Sequence, residues 1–356
     1  MRKPDLVSAL KIHISLLYIC IGLPFIGLSQ DSTRTVTAEK GDGIYSLLRS
    51  QGMDPVLHYK EFISLNKANL RDSVHLYEGR EYILPPVISD STIIVGSVLE
   101  KSKEIQKVPH ILKEDVFGKE HAEVHLRSDM LKGAVYYLTS GHGGPDPGAV
   151  AYYNGKMIAE DEYAYDITLR LAKELMSHGA EVHLIIRDPD DGIRDYRVLE
   201  MDRDEVALPN EEIPIAQLQR LKQRVDIVNN LYLENKGKYQ RLIAIHVDSR
   251  SKGQNIDVFF YHHEYSKNGK HLAESIHGTF IDNYKKFQPN RAYGGTFTDR
   301  SGLYIIKNTL PPIVFIEVGN IRNKRDQNRI LVPDNRQALA KWISEGVLLD
   351  RERNSR

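Results

Sequence analysis

Cysteine is almost missing from this chain: among 356 residues there is one, Cys20. A disulfide framework is therefore excluded as the source of its stability. An excess of either charge is missing as well, since Lys plus Arg and Asp plus Glu both number 48 and the formal net charge is zero. A nucleic-acid partner favours a basic surface, so nothing in this balance points to DNA or RNA. What remains is a neutral chain long enough for more than one domain, each with its own core.

The first thirty residues differ from the rest. Arg2 and Lys3 precede an apolar run from Ile14 to Leu28, broken by Pro24 and followed by Ser29-Gln30. A basic start, a short apolar middle and small residues at Gly27 and Ser29 read as a secretory signal peptide over 1–29. The run is marginal for a membrane span, and the proline weakens that alternative, a retained anchor, still further. Cys20 lies inside the run without the small residues of a lipoprotein site just before it. Cleavage near Ser29-Gln30 leaves a mature chain with no cysteine, which must be stable through its core alone. The expected location is the periplasm or cell envelope, with the exterior as the alternative.

A small unit spans about 35–86. It opens with Val36-Thr37-Ala38, turns at Lys40-Gly41-Asp42, and places Ile44, Leu47 and Leu48 at helical spacing. Phe62 to Leu70 forms a second helical stretch, and Gly79 introduces Tyr82-Ile83-Leu84-Pro85. The order is strand, helix, helix, strand. Gly41-Asp42, Leu65 with Asn69-Leu70, and Gly79 before Tyr82-Ile83-Leu84-Pro85 make this unit resemble a LysM domain. The resemblance implies binding of N-acetylglucosamine-containing glycans, although Gly43 stands where that family usually has a hydroxyl residue. Residues 87–132, with short apolar runs such as Thr92-Ile93-Ile94-Val95, read as a linker with some strand structure packed on the next domain.

From about 133 to 350 strands and helices alternate. Strands are expected at Val135–Thr139, Val182–Arg187, Leu242–His246, Ile256–His262 and Ile313–Val318. Helices are expected around Tyr163–Leu175, Leu218–Leu231, Lys267–Tyr284 and Asn335–Leu348. The pattern predicts an α/β domain, a mostly parallel twisted sheet flanked by helices, preceded by the small βααβ unit.

In open α/β sheets, ligand sites lie at the carboxyl ends of the strands. His142 follows the first strand in the glycine-rich turn Gly141-His142-Gly143-Gly144-Pro145-Asp146-Pro147-Gly148-Ala149. The glycines let the backbone turn tightly and approach a ligand closely. His246 closes its strand, Glu317 lies near the end of the last one, and Glu160 precedes the first long helix. A parallel sheet brings all four to one rim. Two imidazoles, one carboxylate and an open position form a catalytic zinc shell, and a second carboxylate can take a proton from water there. Taken singly, each of these residues reads more readily as an ordinary structural histidine or a salt-bridged glutamate; it is the four together, at matching ends of elements and beside a glycine-rich turn, that point to a site. His178, His262, His263, His271 and His277 are assigned structural roles.

The turn resembles the opening motif of the zinc-dependent N-acetylmuramoyl-L-alanine amidases (the Amidase_3 family). The match continues with Glu160 ahead of Leu169-Arg170-Leu171-Ala172, Gly179-Ala180-Glu181-Val182, and Arg187-Asp188 with Asp190. It runs on through Leu221, Arg224, Asn229 and Ile245-His246-Val247-Asp248-Ser249 to Pro312–Asn323. It implies that His142, Glu160 and His246 bind zinc and that Glu317 is the catalytic carboxylate. Glu162 is a rival ligand, disfavoured by its spacing to Leu169-Arg170-Leu171. Thr139-Ser140 and Ile186 depart from the family pattern, at positions that supply no ligand. The implied reaction is hydrolysis of the amide joining the lactyl group of N-acetylmuramic acid to L-alanine of the peptidoglycan stem peptide. A zinc peptidase cutting within the stem peptide, and a wall-binding protein that has lost its metal, are the alternatives.

One segment fits no motif. Asp188 to Gln217 carries Asp190-Asp191, Glu200, Asp202, Asp204-Glu205 and Glu211-Glu212, and leaves the sheet on the side of the expected zinc. A loop of this length in a compact domain is functional or disordered. It is expected to wall the substrate groove, or to lie over it as a lid, against the alternative of a solvated acidic excursion.

Overall fold

The structure is a computed structural model that describes residues 34–39, 42–53, 55–70, 76–86, 111–249 and 255–354. The leader, the Lys40-Gly41 part of the first turn and the Thr92–Val95 run lie outside the described residues.

The first unit is a strand–helix–helix–strand fold. Strand β1 (Thr35–Thr37) and helices α1 (Ile44–Ser50) and α2 (Pro55–Asn66) lead to β2 (Glu81–Ile83), which pairs antiparallel with β1 in the register Val36 to Tyr82. Ala38, Ile44, Leu47, Leu48, Phe62 and Tyr82 form a hydrophobic cluster of their own. Asn66 joins helix to strand by imitating a β partner: its amide oxygen accepts from Ile83 N at 2.8 Å and its amide nitrogen donates to Ile83 O at 2.8 Å. Leu65, by contrast, points outward and is 42% exposed. It is Leu70 that the core takes up.

Two short strands, β3 (Ile111–Lys113) and β4 (Glu123–His125), precede the main sheet and pair antiparallel. Phe117 and Val124 from this stretch are buried in the main core, so the end of the 87–132 segment is packed rather than loose.

The main unit then runs β5 (Ala134–Ser140), β6 (Val150–Tyr153), β7 (Lys156–Ala159), α3 (Glu160–Met176), β8 (Glu181–Leu184), β9 (Ile186–Arg187), β10 (Val206–Ala207), β11 (Glu211–Glu212), α4 (Gln217–Glu234), β12 (Tyr239–Asp248), β13 (Phe259–His262), α5 (Lys267–Phe287), β14 (Thr296–Asp299), α6 (Tyr304–Asn308), β15 (Ile313–Asn320), α7 (Lys324–Leu331) and α8 (Pro333–Arg353). Six strands form the central sheet in the order β14-β13-β15-β12-β5-β8. Strands β15, β12, β5 and β8 run parallel, and β13 meets β15 antiparallel.

Because side chains alternate along a strand, the two faces of this sheet have separate cores. Tyr136, Leu138, Ile243, Ile245, Val314 and Ile316 pack with α3, α5 and α8. Val135, Tyr137, Leu242, Ala244, Ile313 and Phe315 pack with α4 and α6. His246 and Glu317 continue the second set, so both project on the α4–α6 face at the carboxyl ends of their strands.

Two expected strands are corrected. Val182–Arg187 is split at Ile185, because Ile186-Arg187 leaves the main sheet to pair antiparallel with β10. The strand expected from Ile256 begins only at Phe259, because Asp257 adopts a left-handed φ of 54° and receives Arg291 and Arg329 on its carboxylate. Its antiparallel direction carries His262 and His263 away from the rim that holds His246.

The segment 188–217 is held in place. Arg336, fully buried on α8, bonds Asp166 Oδ2 at 2.6 Å and donates to the carbonyls of Arg194 at 2.6 Å and Tyr196 at 3.0 Å. Asp166 also takes Arg170 at 2.7 Å and the Arg194 amide at 2.8 Å. Removing one member of a buried charged network leaves the others unsatisfied, at a cost of about 3 kcal/mol or more. Arg336→Leu is therefore expected to lower the unfolding free energy by about 3 kcal/mol or more in urea titrations, with faster proteolysis near Tyr196. A change below about 1 kcal/mol would show that the network is dispensable.

Candidate metal centre

The fully buried strand β5 drives the chain to the rim and stops at Ser140. There the backbone reverses through three left-handed residues, His142 at φ 64°, Gly143 at 102° and Gly144 at 64°. For a histidine this conformation is strained, and such strain persists only where the surroundings over-determine it. Arg224 supplies one restraint by donating to the His142 carbonyl. Asp146 supplies another, its Oδ2 lying 2.9 Å from His142 Nδ1. Asp146 is itself fixed by Arg220 at 2.5 Å and by the Gly148 amide at 3.1 Å.

Glu160, the first residue of α3, joins the two histidines. Its Oε1 lies 3.0 Å from His246 Nδ1 and accepts from Val247 N at 2.9 Å. Its Oε2 lies 3.4 Å from His142 Nε2 and accepts from Ala149 N at 3.0 Å. The two imidazoles stand edge to face with centroids 5.4 Å apart, and Phe315 stacks under His246 at 4.2 Å. One ligand atom from each of His142, Glu160 and His246 lies within 4.8 Å of the others. Glu317 is the register partner of His246 on the adjacent parallel strand and is almost buried.

Glycines make room for this arrangement. A Cβ at Gly141 would sit 2.3 Å from His246 Nδ1, and one at Gly148 would sit 2.7 Å from the His142 ring and 2.8 Å from Glu160 Oε2. Two imidazoles and a carboxylate, converging with this clearance, are a donor set that would suit a zinc ion. Asp146 behind His142 provides the carboxylate–histidine pairing that orients metal-binding imidazoles.

The charges reinforce one another. Burial disfavours the cation on His142, but Asp146 and Glu160 outweigh it and hold its pKa above the ordinary imidazole value. Burial also pushes Glu160 up, yet the hydrogen bond from His246 and the two imidazole charges hold it below the usual carboxylate range. His246 is held low, chiefly by burial. A metal entering here therefore competes with a proton on His142.

Of the residues singled out in the sequence, His142, Glu160, His246 and Glu317 lie on one rim. Glu162 does not join the histidines: its oxygens receive Arg194 at 2.9 Å and the Asp202 amide at 3.1 Å. His178 contacts Ser128 just beyond α3, and His271 and His277 lie on α5. The supporting roles of Asp146 and Arg224 were not assigned from the sequence. The signal for Asp146 was its place four residues after His142 in a glycine-rich turn, and that for Arg224 was its place in the family-like run through Leu221, Arg224 and Asn229.

Gly141→Ala should cost the centre about 10–100-fold in zinc affinity, as loss of supporting contacts typically does, while leaving the circular dichroism spectrum intact. Competition with a chromogenic chelator measures this. Unchanged affinity would mean that the Gly141–His246 approach is not required.

The sequence matches the N-acetylmuramoyl-L-alanine amidase family over residues 137–348. The germination-specific N-acetylmuramoyl-L-alanine amidase of Bacillus subtilis (strain 168) is 24% identical over 222 residues, covering 61% of this chain and 80% of that protein. Among solved structures, the amidase AmiC2 of Nostoc punctiforme aligns with a TM-score of 0.44 at 21% identity, over 63% of this chain and 98% of its own. The catalytic domain of the amidase CwlV from Bacillus (Paenibacillus) polymyxa var. colistinus aligns with a TM-score of 0.43 at 23% identity, over 60% and 96%. The family match covers more than half of the sequence, and the chain belongs to the N-acetylmuramoyl-L-alanine amidase family.

Proposed function

We propose that this chain hydrolyses the amide between N-acetylmuramic acid and L-alanine in peptidoglycan, with His142, Glu160 and His246 holding zinc and Glu317 acting as general base. The family makes it a peptidoglycan hydrolase of the amidase class. The observation that carries the residue assignment is the convergence of one ligand atom each from His142, Glu160 and His246 within 4.8 Å, beside Glu317 in register with His246.

An amide is a poor electrophile, and water at neutral pH is a poor nucleophile. Zinc bound by this donor set supplies Lewis acidity that lowers the pKa of water toward ~7 and polarises the carbonyl. The chain's own contribution is positional. Asp146 and the Arg224 contact fix the His142 ring, while the amides of Val247 and Ala149 aim the two oxygens of Glu160. Glu317 accepts the proton of the attacking water and delivers it to the departing amine of L-alanine.

The 188–217 segment borders this centre through Glu205, which accepts from Gly144 N at 2.6 Å, and supports the reading of a groove wall. The LysM-like unit supports a second contact with the same polymer, which would raise the effective concentration of substrate at the centre. α1 lies near α6, where Gly43 approaches Asn308. Work on peptidoglycan implies export, in keeping with the leader-like start of the sequence. A zinc peptidase cutting within the stem peptide would use a similar shell, but the family match favours the amide to muramic acid. The presence of all four residues disfavours a purely binding role.

As a base that is not a ligand, Glu317 is needed for turnover but not for metal. Glu317→Gln should keep one zinc per chain by elemental analysis and lose at least ~10²–10⁴-fold in rate. Near-normal turnover, or loss of the zinc, would overturn its role.

Deleting residues 31–86 should weaken sedimentation with insoluble peptidoglycan and spare cleavage of soluble muropeptides. Unchanged sedimentation would remove the glycan-binding role from the small unit.

A further inference from the structure

A second convergence of carboxylates lies beside the first and is not used by the hydrolytic reading. Helix α3 opens with three consecutive acids. Glu160 turns to the histidines, while Asp161 and Glu162 are 2% and 1% exposed. Glu205, 5% exposed, reaches them from the 188–217 segment. One carboxylate oxygen from each of Asp161, Glu162 and Glu205 lies within 4.8 Å of the others.

The hydrogen bonds do not satisfy this group. Asp161 Oδ1 accepts from Glu162 N at 3.0 Å, but its Oδ2 is buried with no hydrogen-bond partner. Glu205 Oε2 accepts from Gly144 N at 2.6 Å. Glu162 takes the Asp202 amide and Arg194, the one guanidinium bonded to the cluster among the described residues. Ionised together, three carboxylates against one guanidinium would carry two negative charges in excess. Burying charge without compensation is strongly unfavourable.

We propose that Asp161, Glu162 and Glu205 bind a hard divalent cation of the calcium class, distinct from the zinc at the histidines. The donors are all oxygen, with no nitrogen or sulfur, which selects calcium or magnesium over zinc. Calcium takes 6–8 oxygens in irregular geometry, so backbone oxygens and water complete its shell. The two residual charges match one such ion. Its position gives it a structural task. It fastens the 188–217 segment to the start of α3 and, through Glu205 and Gly144, to the turn that carries His142. The proposal does not depend on the hydrolytic reading.

The test uses the full chain, stripped with EDTA and reloaded with zinc. Calcium chloride is added to thermal melts and to a calorimetric titration. One calcium per chain should bind beyond the zinc, with a rise in Tm of roughly 5 °C when calcium is about 100 times its Kd. Asp161→Asn, nearly isosteric, and Glu205→Gln, on a different element, should each abolish the rise while zinc content stays at one. Asp190→Asn with Asp204→Asn, in the neighbouring group of Asp188, Asp190, Asp202 and Asp204, should leave the calcium response in place. Absence of any calcium effect on the unmodified protein overturns the proposal, since a shared proton or a water then stabilises the carboxylates. A full calcium response in either the Asp161 or the Glu205 variant overturns it too, even if the other fails to fold.

Discussion

The Glu160 carboxylate is the joint on which the centre depends. Each of its oxygens meets one imidazole and one backbone amide, so a single side chain ties the turn after β5, the start of α3 and the end of β12 together. Those elements belong to different parts of the chain, and the parallel pairing of β5 with β12 brings the ends of the two strands together. A buried carboxylate is costly unless its charge and lone pairs are answered. Here two histidines and two amides answer it, and the two histidines with Glu160 are the group that could hold a metal ion.

Around that joint, rigidity comes from groups remote in sequence. Arg224 on α4 holds the His142 carbonyl, Phe315 on β15 stacks under His246, and Glu205 caps the Gly144 amide. The left-handed φ of His142 is the local consequence. Arg336 and Asp166 then fix the long acidic segment against α3 and α8, and Glu205 joins it to the turn that carries His142.

Much of the fold could be read from the sequence because period-2 and period-3.6 patterns are local. The strands ending near Ser140, His246 and Glu317, and the helices after them, follow directly from such patterns. The convergence of His142, Glu160 and His246 was legible for the same reason, since parallel strands send their carboxyl ends to one rim. What escaped were tertiary effects. The antiparallel direction of β13 is set by its neighbours, and its late start is set by Asp257 and two distant arginines. Asn66 in the small unit acts as a surrogate strand partner, a role that no periodicity announces. Asp161 and Glu162 look like ordinary helix-start acids until Glu205 arrives from more than forty residues away.

Mass spectrometry of purified peptidoglycan digested with the zinc-loaded protein identifies the bond that is cut. Hydrolysis of the amide to muramic acid should yield glycan chains that keep intact lactyl groups but carry no peptide, together with stem peptides bearing a free L-alanine amine. Fragments in which L-alanine stays attached to muramic acid, with a break further along the peptide, would instead mark a peptidase.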